Sequence, residues 1–224
     1  MKPSFAAAFW SSSLLLIALG SSVFSVAQEP ATITVKVTNP NLAPPEWKLS
    51  FDRQGQGQFD AAADQSTPHA GRPIVLGELH KTVQLSPEFA THAFEVAHQR
   101  KLFAFPCESH MKVAFQGTKQ FSYSGPDGSG SCEFNYSKDK QIQDLAESLM
   151  AIENTLLYGA RLEKLLQHDR LGLDQEMEDL STAAHNGTAI EMGVIQTTLD
   201  RIAKDEQVLE RARRRARLLL AQVH

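Results

Sequence analysis

Glu88, His92 and Glu95 stand four and three residues apart, so on a helix their side chains share one stripe. Carboxylates and an imidazole at that spacing can hold a metal ion such as zinc, the equipment of a metal-dependent hydrolase. The stripe also reads as the solvent face opposite Phe89, Ala93 and Ala97, and no His-Glu-x-x-His motif accompanies it. Arg211, Arg213, Arg214, Arg215 and Arg217 form the strongest charge cluster, a contact for phospholipid headgroups, an envelope polymer or an acidic protein. Internal acids compete for these arginines. Glu210 lies four residues before Arg214, and Asp174, Glu176, Glu178 and Asp179 lie upstream.

Cys107 and Cys132 are the only two cysteines. Their separation is too wide for a Cys-x-x-Cys redox or zinc pair, so in an exported chain they read as one structural disulfide. Closing that loop removes about 3.5 kcal/mol of unfolded-state entropy. No nucleophile elbow of the form Gly-x-Ser-x-Gly is present, and Gly55 and Gly57 do not open a helix after a strand. The residues therefore assign no catalytic group and no cofactor.

The chemistry that remains must suit an address outside the cytoplasm. Lys2 is the only charge before Glu29, Leu14 to Leu19 form an apolar run, and Ser25-Val26-Ala27 supplies the small residues of a cleavage site. Cleavage after Ala27 leaves a mature chain of roughly 200 residues beginning at Gln28, secreted or periplasmic. No cysteine follows the apolar run to carry a lipid, and no later stretch reads as a membrane span. The net charge of −4 gives no electrostatic case for nucleic acid.

Two kinds of element must hold these groups in place. Residues 31–136 alternate in the manner of strands: Ile33, Val35 and Val37; Trp47, Leu49 and Phe51; Phe59 beyond a Gln54–Gly57 turn; and short strands at 74–76 and 82–85. Residues 61–73 read as a polar loop. Ser86-Pro87-Glu88 starts a helix that ends near Lys101. A three-stranded meander is expected next, with Val113 and Phe115, then Phe121 and Tyr123, then Cys132, Phe134 and Tyr136. Its turns fall at Gly117-Thr118 and at 125–130.

From Ser137 the period becomes helical. Ile142, Leu145, Leu149, Ile152 and Leu156 line a helix to about His168. A short acidic helix follows at 174–184. Thr188 and Glu191 then read as the capping box of a last helix running almost to the C-terminus. The expectation is an α+β fold, an antiparallel sheet covered by helices and followed by a C-terminal helical arm or hairpin. It divides into a leader at 1–27, an α+β domain at 28–168 and a helical extension at 169–224.

The order of hairpin, capped helix at Leu85-Ser86-Pro87-Glu88, meander and closing helix resembles secreted bacterial α+β domains of unknown function, over residues 47–157. That resemblance implies no activity and no site residues. The function expected is non-catalytic binding through the helical arm, to an unknown protein or an anionic envelope component, with self-association as another use of the arm. A hydrolase whose site carries no motif is the alternative.

Overall fold

The computed structural model describes Met1, residues 30–64 and residues 74–223. The expected leader, apart from Met1, and the 65–73 part of the expected loop lie outside the described residues. Six strands, β1 (Thr32–Thr38), β2 (Glu46–Asp52), β3 (Gln56–Ala61), β4 (Leu79–Gln84), β5 (Thr118–Gly125) and β6 (Gly128–Phe134), form one antiparallel sheet in the order β4-β3-β2-β1-β5-β6. Five helices complete an α+β fold: α1 (Pro87–Gln99), α2 (Lys140–His168), α3 (Gly172–His185), α4 (Gln196–Lys204) and α5 (Glu210–Leu220).

Alternation along the strands puts one apolar face against α1 and the first half of α2. Val35 sits between Leu49 on β2 and Phe121 on β5, and all three are buried with Phe59, Phe94, Ile142 and Leu149 in one core. Edge-to-face contacts of Phe51 with Phe94 and of Phe121 with Phe103 and Phe134 add to this packing. The helix start at Ser86 is as the sequence indicates, with its hydroxyl accepting the Phe89 amide at 3.1 Å. Asp139 caps α2 in the same way.

The meander loses its first strand. Residues 104–117 form no strand, and β5 pairs instead with β1, Thr118 opposite Thr38. Thr118 therefore begins a strand and does not form part of a two-residue turn. The backbone of the displaced segment is held by side chains: the Asn135 amide accepts the Gln116 N–H at 2.7 Å and donates to the Ala114 carbonyl at 3.1 Å. Glu108 accepts the Asn135 and His110 amides. The second turn is tighter than expected, because Gly125 pairs with Gly128 and only Pro126 and Asp127 form the tip. Residues 74–76 also form no strand.

Between α1 and this segment the chain makes a left-handed turn, with φ of 53°, 57° and 67° at Lys101, Leu102 and Phe103. Such conformations cost non-glycine residues about 1–2 kcal/mol each. Burial of Phe103 and the closeness of β6, where Gly130 faces the Leu102 carbonyl, hold the turn in place.

The C-terminal helices wrap a second core. Leu162, Leu165 and Leu166 of α2 meet Leu173, Met177 and Leu180 of α3, with Leu199, Ile202, Ala212 and Leu219 from the rest. The last helix is not continuous. Asp205 accepts the Gln207 amide at 2.9 Å and stops α4, Val208 turns inward, and α5 starts afresh. Among the described residues no helix is long and apolar enough to cross a membrane.

Candidate functional site

Cys107 and Cys132 are joined, 5.8 Å apart at Cα, and tie the segment before β5 to the edge strand β6. Both are buried, so the pair is structural.

Glu88, His92 and Glu95 do share a stripe of α1, and all three are exposed over a shallow depression. Among the described residues no three of His, Cys, Asp and Glu are placed to share a metal ion, this stripe included.

Most of the arginine cluster is engaged by acids of the protein itself. Arg211 and Arg215 meet the buried Asp174 at 2.7 and 2.8 Å, and Arg215 also reaches Glu178 at 2.8 Å. Arg213 and Arg217 hold Glu210, each at 2.5 Å. Arg214 alone of the five is exposed without an ion pair among the described residues. The acids of α3 and of the α5 start thus answer four of the five arginines. Arg211, Arg214 and Arg217 stay exposed, and the paired acids reduce the net charge that the cluster presents.

Sequence periodicity does not reveal a polar tetrad at one end of the sheet, because its members come from three separate places. Arg53 follows β2, His98 ends α1, Tyr123 lies on β5 and Asp127 sits at the tip of the β5–β6 turn. Arg53 Nη2 lies 2.7 Å from His98 Nε2, and an arginine can only donate, so Nε2 accepts. The imidazole proton is then on Nδ1, facing Asp127 Oδ2 at 3.5 Å. Tyr123 donates to Asp127 Oδ1 at 2.5 Å. Burial, reinforced by Asp127, holds the Tyr123 phenol above its ordinary value, while that hydrogen bond keeps the Asp127 carboxyl low. With Nε2 taken up by Arg53, the tetrad is a clasp that joins β2, α1 and the β5–β6 turn.

A concavity lies at the other end of the sheet. A groove of about 970 Å³ runs between the β1–β2 turn, the end of β3 and the 74–79 segment on one side, and α2 and α3 on the other. Its apolar wall includes Pro44, Ala61, Leu76 and Leu79, and Leu157 adds an apolar group from α2. Polar groups on α2 and α3 line the opposite side. Arg161 pairs with Glu176 at 2.6 Å and lies over the Tyr158 ring, and Lys164 donates to the Val75 carbonyl at 2.8 Å. Asp169 accepts the Leu171 and Gly172 amides, and Asp179 accepts from Gln175. Glu153, half-buried on α2 next to the groove residue Asn154, has its carboxyl pushed up to about 7 by burial, against a smaller pull from Arg161.

One signal for this groove is present in the sequence. Asn154, Tyr158, Arg161 and His168 recur at three-, four- and seven-residue steps along α2, a polar stripe beside the apolar one. The strand ends that complete the site leave no such trace. Compared with known proteins, the chain matches no family model and no curated protein.

Proposed function

We propose that the protein is an exported, non-catalytic binding module in which the C-terminal helices form one wall of a ligand groove. The observation that carries this reading is the groove itself. Its volume lies at the upper end of that of ordinary ligand sites, about 300–1,000 Å³, and it combines apolar walls with a few placed polar groups. The helical extension contributes to the binding wall through α3, beside α2 of the α+β domain, and Arg211 and Arg215 hold α5 on α3. The hydrolase alternative gains no support from the tetrad, whose histidine Nε2 is taken up by Arg53.

A neutral apolar fluorophore such as Nile red tests the groove without regard to charge. The mature protein is expected to bind it saturably at one site. Gln175→Trp and Ala62→Trp, which place bulk at two positions along the groove, are expected to remove that site while far-ultraviolet circular dichroism stays unchanged. Unsaturable binding, or binding indifferent to both variants, would sink the proposal.

A further inference from the structure

Resting on that reading, we infer that the groove takes an extended, positively charged peptide segment of a partner protein, with apolar and cationic side chains in alternation.

Length is the first reason. The lining residues of α2 run from Asn154 to His168, a span of about 21 Å at 1.5 Å per residue. An extended chain covers that distance with about six or seven residues, whereas a compact small molecule would fill only part of it. Charge is the second. Among the described residues, Asp169, Glu176 and Asp179 line the groove against two fixed cations, Arg161 and Lys164. Both cations are committed within the protein, Arg161 to Glu176 and the Tyr158 ring, Lys164 to the Val75 carbonyl. Among the described residues, Asp169 and Asp179 have neutral amides as partners. The field in the groove is therefore negative and selects ammonium or guanidinium groups.

Alternation follows from the two walls. Successive side chains of an extended segment point to opposite sides. One set meets the apolar wall of Leu76 and Leu79, and the other meets the carboxylates on and beside α2 and α3.

The test is fluorescence anisotropy of the mature chain with fluorescein-labelled heptapeptides alternating leucine with lysine, serine or glutamate. The lysine peptide is expected to bind at least tenfold more tightly than the serine peptide, and to weaken as salt rises. The double variant Asp169→Asn/Asp179→Asn keeps the side-chain acceptors and removes the charge. It should weaken the lysine peptide about tenfold and leave the serine peptide unchanged, with an unaltered melting curve. Gln175→Trp should weaken all peptide binding. Equal binding of serine or glutamate peptides, or indifference of the lysine peptide to the double variant, would overturn the inference. If Nile red is held in the groove and no peptide binds, the peptide reading falls and the binding module stands. If neither binds, both fall.

Discussion

The carboxylate of Glu191 accepts both the backbone N–H of Ser86 at 2.7 Å and its hydroxyl at 2.8 Å. A capping box ordinarily takes its acid from the third residue of the same helix. Here it comes from 105 residues downstream, and α1 is capped by the C-terminal helical region. Thr188, the partner expected for Glu191, instead donates to the Ala183 carbonyl at the end of α3.

Glu191→Ala is expected to destabilise the fold by about 2 kcal/mol, since it strips a charged acceptor from a half-buried amide. Ser86→Ala should cost about 1 kcal/mol as a lost cap. A double-mutant cycle in urea should show coupling of about 1 kcal/mol between the two. Strict additivity would mean that the contact contributes nothing.

Gly130 should tolerate no side chain. A Cβ there would lie 2.4 Å from the Leu102 carbonyl oxygen and 2.9 Å from the Ala104 nitrogen, both in or beside the left-handed turn. Gly130→Ala is expected to cost about 2–4 kcal/mol, read as a fall in the urea midpoint. Gly77 meets nothing within 4 Å, so Gly77→Ala serves as the control and should shift stability by less than about 0.5 kcal/mol.

The arginines of α5 should separate by partner. Arg215→Gln leaves buried Asp174 with half its cationic shell and frees Glu178, an expected loss of about 2–3 kcal/mol. Arg214→Gln should change stability by less than about 0.5 kcal/mol. From the sequence alone these neighbours are interchangeable, and a triple replacement of Arg213, Arg214 and Arg215 is expected to leave the fold intact. Thermal melts of the single variants decide the point.

What local pattern could reveal, it did. Ile33-Val35-Val37, Trp47-Leu49-Phe51, the Ser86 cap and the long apolar stripe of α2 all lie where their periods put them. Val113 and Phe115 have a strand's alternation too, yet they are exposed. The place beside β5 went to β1, from 80 residues upstream at Thr38↔Thr118 to 92 at Thr32↔Ser124, a competition between distant segments that no local window contains. The break between α4 and α5 carries no glycine or proline, because it is made by the Asp205 side chain and by Arg170 reaching it from beyond α2. The groove was illegible for the same reason. Only its α2 stripe is local, and its opposite wall is assembled from three separate stretches of chain.

Stability should fall as pH rises through the range set by Glu153. Burial lifts its carboxyl from 4.5 to about 7, so the folded chain holds this proton more tightly than the unfolded one. Below 4.5 the group is protonated in both states and imposes no penalty. Between 4.5 and 7 the penalty grows, and above 7 it is fully present. Glu153→Gln is thus expected to stabilise by about 1–2 kcal/mol at pH 8 and by nearly nothing at pH 4. Equal effects in urea denaturation at the two pH values would contradict the assignment.

α2 belongs to both cores, with Ile142 to Leu156 against the sheet and Leu162, Leu165 and Leu166 among the C-terminal helices. The helix acts as a spine common to the two parts, so an event that frays one end is transmitted to the other along a single rod. A chain ended at His168 would keep the rod and strip half its cover, presenting three leucines to water on one face. Such a fragment is a recipe for sticky, self-associating material, and the sheet would inherit the instability. The seam between the parts crosses one continuous helix between Leu156 and Leu162, and no peptide bond there is a natural place to cut.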